Sequence, residues 1–80
     1  STEINEAYRE SQLAMATLKI LELGPETGMK NAEIGRALGI YSGHVEHEGH
    51  ISRTLLAMLE AEGVAQQDNE TKRWILRYQL

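Results

Sequence analysis

Asn31-Ala32-Glu33-Ile34-Gly35-Arg36-Ala37-Leu38-Gly39-Ile40 and, ten residues later, Ile51-Ser52-Arg53-Thr54-Leu55-Leu56-Ala57-Met58-Leu59-Glu60-Ala61-Glu62-Gly63-Val64 are the two runs that decide the fold. In the first, Ala37 and Leu38 follow Ile34 by three and four residues, the spacing of one helical face. Gly39 is expected to end that helix. In the second, Ile51, Leu55, Met58 and Leu59 form one apolar stripe, and Gly63 supplies the stop.

Upstream of this pair, a longer helix is expected over Glu3–Leu23, with Thr2 as its N-cap. It should stop at Gly24-Pro25, with Gly24 as a left-handed residue after the helix. Its first half is polar apart from Ile4, Ala7 and Tyr8. Its second half is apolar nearly all round, which calls for cover on more than one side. A central core helix explains this, and a dimer interface is the alternative. Met29-Lys30 reads as a very short strand. Downstream, Val64–Gln67 and Lys72–Arg77 read as strands joined by the polar turn Asp68-Asn69-Glu70-Thr71. Trp74 and Leu76 share a strand face, and a lone hairpin of this size has to pack on the helices.

The chain of 80 residues is one domain's worth, with residues 1–11 expected to extend the first helix. At 41% hydrophobic and 25% charged it is too apolar for a disordered segment. The absence of cysteine excludes disulfides, thiolate metal sites and cysteine nucleophiles. No apolar run approaches the length of a membrane span, so a cytoplasmic location is the default expectation. The net charge of −4 argues against indiscriminate nucleic-acid binding, which depends on Lys and Arg neutralising phosphates. The balance is uneven: residues 64–80 hold three bases against two acids and form the one net positive segment.

The order helix, short strand, helix, helix, hairpin makes the expected fold class mainly α with a small β-hairpin. At this point the sequence resembles the winged helix-turn-helix superfamily. Residues 31–40 resemble the first helix and turn of a bacterial helix-turn-helix. Residues 51–64 resemble the recognition helix and the approach to the wing, and Trp74-Ile75-Leu76 resembles the wing's return strand. The resemblance covers residues 12 to 77 and implies a three-helix core plus wing that binds double-stranded DNA, with the third helix in the major groove and the wing on the backbone. It implies a transcriptional regulator or the DNA-reading module of a larger protein. Two features depart from the pattern: a long turn over residues 41–50, and the acids Glu46 and Glu48 ahead of the third helix.

Arg53 is the side chain best suited to a bidentate contact with guanine or a clamp on phosphate. Ser52, Thr54 and His50 accompany it near the helix start, where exposed N–H groups favour a phosphate. The plainer reading has Ser52 or His50 capping the helix and Arg53 paired with Glu46 or Glu48. Lys72 and Arg73 on the wing, with Lys30, supply sequence-independent backbone contacts, or else the charged edge of a solvated strand. His44, His47 and His50 recur at spacings of three and would share a helical face able to gather a metal ion. Gly43 and Gly49 oppose a helix there, so a solvated loop is the expected state and no metal or cofactor is expected. Met15, Met29 and Met58 read as core fillers, and Trp74 as the cover of the core. No catalytic frame or phosphate loop is present, so no enzyme is expected. The alternative function is a winged-helix protein-interaction module, and a homodimer through the first helix is a further expectation.

Overall fold

In the computed structural model, residues 2–42 and 48–77 are described, without the side chains of 40–42 and 48–51. They form α1 (Thr2–Leu23), α2 (Asn31–Ser42), α3 (Glu48–Ala61), β1 (Ala65–Gln67) and β2 (Trp74–Leu76). The architecture is mainly helical, with one two-stranded antiparallel sheet in which Ala65 pairs with Leu76 and Gln67 with Trp74. No helix among the described residues is long and apolar enough to cross a membrane.

The core forms where three helical stripes and the hairpin converge. Ile20 and Leu21 of α1, Ile34 and Leu38 of α2, and Leu55, Leu56 and Leu59 of α3 are buried together with Ala65 and Trp74. Trp74 thus covers the core, as its place in the sequence implies. Leu56, fully buried, belongs to the α3 stripe although the reading above leaves it out. One polar residue, Thr17, is fully buried in α1, where its hydroxyl donates to the Leu13 carbonyl at 2.8 Å. That bond satisfies the group inside its own helix.

The helix boundaries correct several expectations. Gly39 does not end α2: it is buried inside the helix, which continues to Ser42. Nor does α3 wait for Ile51. It begins at Glu48 and takes Gly49 into its first turn. A glycine there costs about 1 kcal/mol against alanine, and packing along the rest of the stripe overrides so small a propensity. Residues 41–42 and 48–50 of the expected long turn thus belong to α2 and α3, and residues 43–47 lie outside the described residues. Thr2 is the first residue of α1 instead of its cap.

Of the two glycines expected to end helices α1 and α3, one departs from its expected conformation and the other does the expected work. Gly24 is not left-handed. Its N–H donates to the Ile20 carbonyl at 2.9 Å, and a Cβ there would stand 2.6 Å from the flexible Met29 side chain and 3.1 Å from the Ile20 carbonyl oxygen. Gly63 is the left-handed residue, with φ 79°. Its N–H donates to the Glu60 carbonyl, and the N–H of Val64 donates to the Leu59 carbonyl. This paired closure satisfies the carbonyls at the end of α3 and turns the chain into β1.

Met29 pairs with Trp74 in a single antiparallel bridge, its N–H donating to the Trp74 carbonyl at 3.0 Å and its carbonyl accepting the Trp74 N–H at 2.7 Å. The expected short strand is therefore one residue long. It fixes β2 against the segment that leads into α2. Met15 departs from its expected place: it is 66% exposed, whereas Met29 and Met58 pack against the core.

Candidate nucleic-acid interface

The start of α2 is built from borrowed groups. Lys30 occupies the cap position, and its side chain has no oxygen with which to accept a backbone N–H. Glu33, three residues on, supplies half of a capping box by accepting the Lys30 N–H at 2.8 Å. The Ile34 N–H donates to the Lys30 carbonyl at 3.0 Å and opens the helical ladder. Asn31 is held from α3: the Ser52 hydroxyl donates to Asn31 Oδ1 at 2.7 Å, with the Asn31 carbonyl at 3.2 Å.

That bond redefines Ser52. It is fully buried and lies in the second turn of α3, so it neither caps the helix nor faces a ligand. Its hydroxyl locks α3 to the first turn of α2. Next to it, Arg53 and Thr54 are exposed. Thr54 borders a groove between α3 and the outer half of α1, together with Glu6, Arg9, Glu10, Leu13, Leu55 and Met58. Arg53 is not part of that groove. His50 lies in the first turn of α3; its side chain, like His44 and His47 altogether, is outside the described residues. Among the described residues no cluster fit to hold a metal ion occurs.

The hairpin turn is tied to the same place. The Arg73 guanidinium donates from Nη1 to the Gly28 carbonyl at 3.2 Å and lies 3.5 Å from Glu33 Oε1. Arg73 is therefore half-buried and engaged within the chain, not a free cation on the hairpin. The Met29–Trp74 bridge sets its backbone beside Lys30. Lys72 is exposed, with φ 64°, a left-handed conformation rare outside glycine.

Asp68 organises the turn that presents Lys72. Its Oδ1 accepts the N–H groups of Glu70 at 2.8 Å and Thr71 at 2.9 Å, while its carbonyl accepts the Lys72 N–H at 2.9 Å. The N–H groups of Thr71 and Glu70 hold its carboxyl below the ordinary 3.8. The Gln67 side chain adds a bond to the Lys72 carbonyl at 3.0 Å.

Three exposed cations are next in sequence to groups bonded at the first turn of α2: Lys30 precedes Asn31, Arg53 follows Ser52, and Lys72 precedes Arg73. Among the described residues none of the three forms an ion pair. One acid, Glu33, sits at the same helix start and is 40% exposed, while Glu62, just past the end of α3, borders a second groove with Glu10 and Ser11 of α1. Asn31, Glu33 and Gly28, which hold the arrangement together, are the residues the sequence reading passed over. A glutamate at the third helical position was a visible signal, but the Ser or Thr that normally completes it is absent. Against known protein families, curated proteins and solved structures, the chain finds no match.

Proposed function

We propose that this chain is a winged helix-turn-helix domain that binds duplex DNA, with α3 in the major groove and the β1–β2 turn on the phosphate backbone. One observation carries the reading. Two contacts of otherwise structural residues, Ser52 on Asn31 and Arg73 on Glu33, set the sequence neighbours of the exposed Arg53 and Lys72 against the first turn of α2, which the exposed Lys30 precedes. A chain of net charge −4 gains little from scattered bases; a local cluster at a helix start, where the backbone dipole is also positive, suits phosphate. Arg53 is the base-reading side chain, and Lys30 and Lys72 are the backbone contacts. Of the seven residues read from the sequence as DNA contacts, Ser52 and Arg73 act indirectly, by positioning their neighbours.

A protein-interaction module on the same fold is the second reading, favoured by Glu6 and Glu10 in the groove beside Thr54. Titration of the labelled chain with a mixed-sequence duplex, at low and then physiological salt, separates the two. DNA binding moves the amide signals of Lys30, Arg53 and Lys72 and weakens as salt rises. Arg53→Ala then costs about 1–3 kcal/mol of affinity for the preferred duplex. No movement at low salt overturns the DNA reading.

A further inference from the structure

The stripe of α1 that faces the core does not end where the core ends. Spacings of three and four residues put Glu6, Glu10, Leu13, Thr17 and Ile20 on it. Thr17 and Ile20 are buried, whereas Thr2 to Gln12 are all exposed. Along that outer half the stripe borders a groove of about 270 Å³ whose other wall is α3. Leu13, Leu55 and Met58 make its apolar floor, and Glu6, Arg9 and Glu10 stand on its rim. Among the described residues neither Glu6 nor Glu10 has an ion pair. The second groove shares Glu10 and Met58 with the first and adds a third acid, Glu62.

We infer that the first groove receives a cationic, amphipathic helix of a partner protein, with apolar side chains on the floor and Lys or Arg against Glu6 and Glu10. Shape selects the element. Both walls are helices and no strand edge borders the groove, so a third helix is what packs between them. From Glu6 to Leu13 the α1 wall rises about 10.5 Å, the reach of helical anchors at i, i+4 and i+7. The volume falls just short of the roughly 300–1,000 Å³ of small-molecule pockets, which favours inserted side chains over a whole ligand. Charge selects the partner. Carboxylates repel phosphate and anionic lipid and attract bases, and the two grooves together hold three acids against the one base Arg9. A second copy of this chain does not qualify, because α1, α2 and α3 each carry at least as many acids as bases. The inference names the partner that the protein-interaction reading leaves open. It does not rest on the DNA reading, since Lys30, Arg53 and Lys72 line neither groove.

Two synthetic helical peptides of one design test it. Both carry leucine at i, i+4 and i+7; the remaining positions are alanine and lysine in one, alanine and glutamate in the other. Titrated into the labelled chain, the lysine peptide should move the signals of Leu13, Leu55 and Met58, and the glutamate peptide should not. Glu6→Gln with Glu10→Gln should weaken the lysine peptide by about two- to five-fold per charge removed. Glu26→Gln with Glu70→Gln, at exposed acids that line neither groove, should leave its affinity nearly unchanged. Equal weakening by the two double variants would reduce the effect to net charge and overturn the proposal. Shifts from the glutamate peptide alone would overturn the partner's charge while keeping the groove as a docking site. Shifts from neither peptide would overturn this inference and the protein-interaction reading together, and would leave the DNA reading standing.

Discussion

The Arg73 guanidinium lies 3.5 Å from the Glu33 carboxylate, which at the same time accepts the Lys30 N–H at 2.8 Å. One carboxylate thus closes the start of α2 and fastens the hairpin to it. Both partners are about one-third exposed or more, so solvent screening keeps the pair's own contribution below about 1 kcal/mol. Its value is in placement.

Glu33→Gln should separate these roles. The amide oxygen still accepts from Lys30, so unfolding in urea should show a loss of less than about 1 kcal/mol. Removing the charge frees Arg73 and deletes an acid beside Lys30 and Lys72. Duplex affinity should therefore rise, and its dependence on log salt should steepen by about one unit. An unchanged slope would show that Arg73 stays on the Gly28 carbonyl and never meets phosphate.

Gly28 and Gly63 both have positive φ, at 91° and 79°, but their surroundings differ. A Cβ on Gly28 would stand 2.5 Å from the Trp74 carbonyl oxygen, which is backbone and already accepts the Met29 N–H. Around Gly63 the space is open. Gly63→Ala should cost about 1 kcal/mol, the penalty of a left-handed alanine. Gly28→Ala should cost that plus about 1–3 kcal/mol for the clash. Chemical denaturation of the two variants checks the order, and equal losses would place the clash elsewhere.

These two glycines also show where the sequence stops being legible. The stripes of α2 and α3, the hairpin and the Trp74 cover follow from local periodicity, because burial imposes a period on each element separately. Gly39 and Gly49 mislead because propensity is a small local term, and packing between α2 and α3 outweighs it. Gly28 is no exception to local reading in kind; its need arises from Trp74, 46 residues away. Ser52 is harder still. A polar residue beside Arg53 near a helix start has the composition of a ligand contact, and its true partner, Asn31, lies 21 residues upstream. The three exposed cations were visible as residues, but the Ser52–Asn31 and Arg73–Glu33 contacts made by their sequence neighbours were not.

Asp68 makes the hairpin turn sensitive to acid. Its carboxyl is held below 3.8 by the N–H groups of Thr71 and Glu70, so the folded form favours the carboxylate. The stabilisation is complete above the unfolded value and is lost as pH falls through the lower folded value. The backbone amide signals of Glu70 and Thr71 should therefore shift together at a midpoint below 3.8. Asp68→Asn keeps an acceptor oxygen and should abolish that shared midpoint. A midpoint at or above the ordinary value would mean that the two bonds do not favour the ionised form.

Lys72 couples stability and binding with opposite signs. At φ 64° its backbone is left-handed, which costs a side-chain-bearing residue about 1–2 kcal/mol. Glycine avoids this but loses roughly 0.5–1 kcal/mol in unfolded-chain entropy. Lys72→Gly should thus stabilise the fold by up to about 1 kcal/mol, read from urea midpoints at unchanged slope. The same change removes a cation from the cluster at the α2 start, so duplex affinity should fall at low salt with the salt dependence shallower by about one unit. A stabilised chain with unchanged affinity would take Lys72 out of the interface. A destabilised one would mean that its side chain, not only its backbone, supports the turn that Asp68 organises.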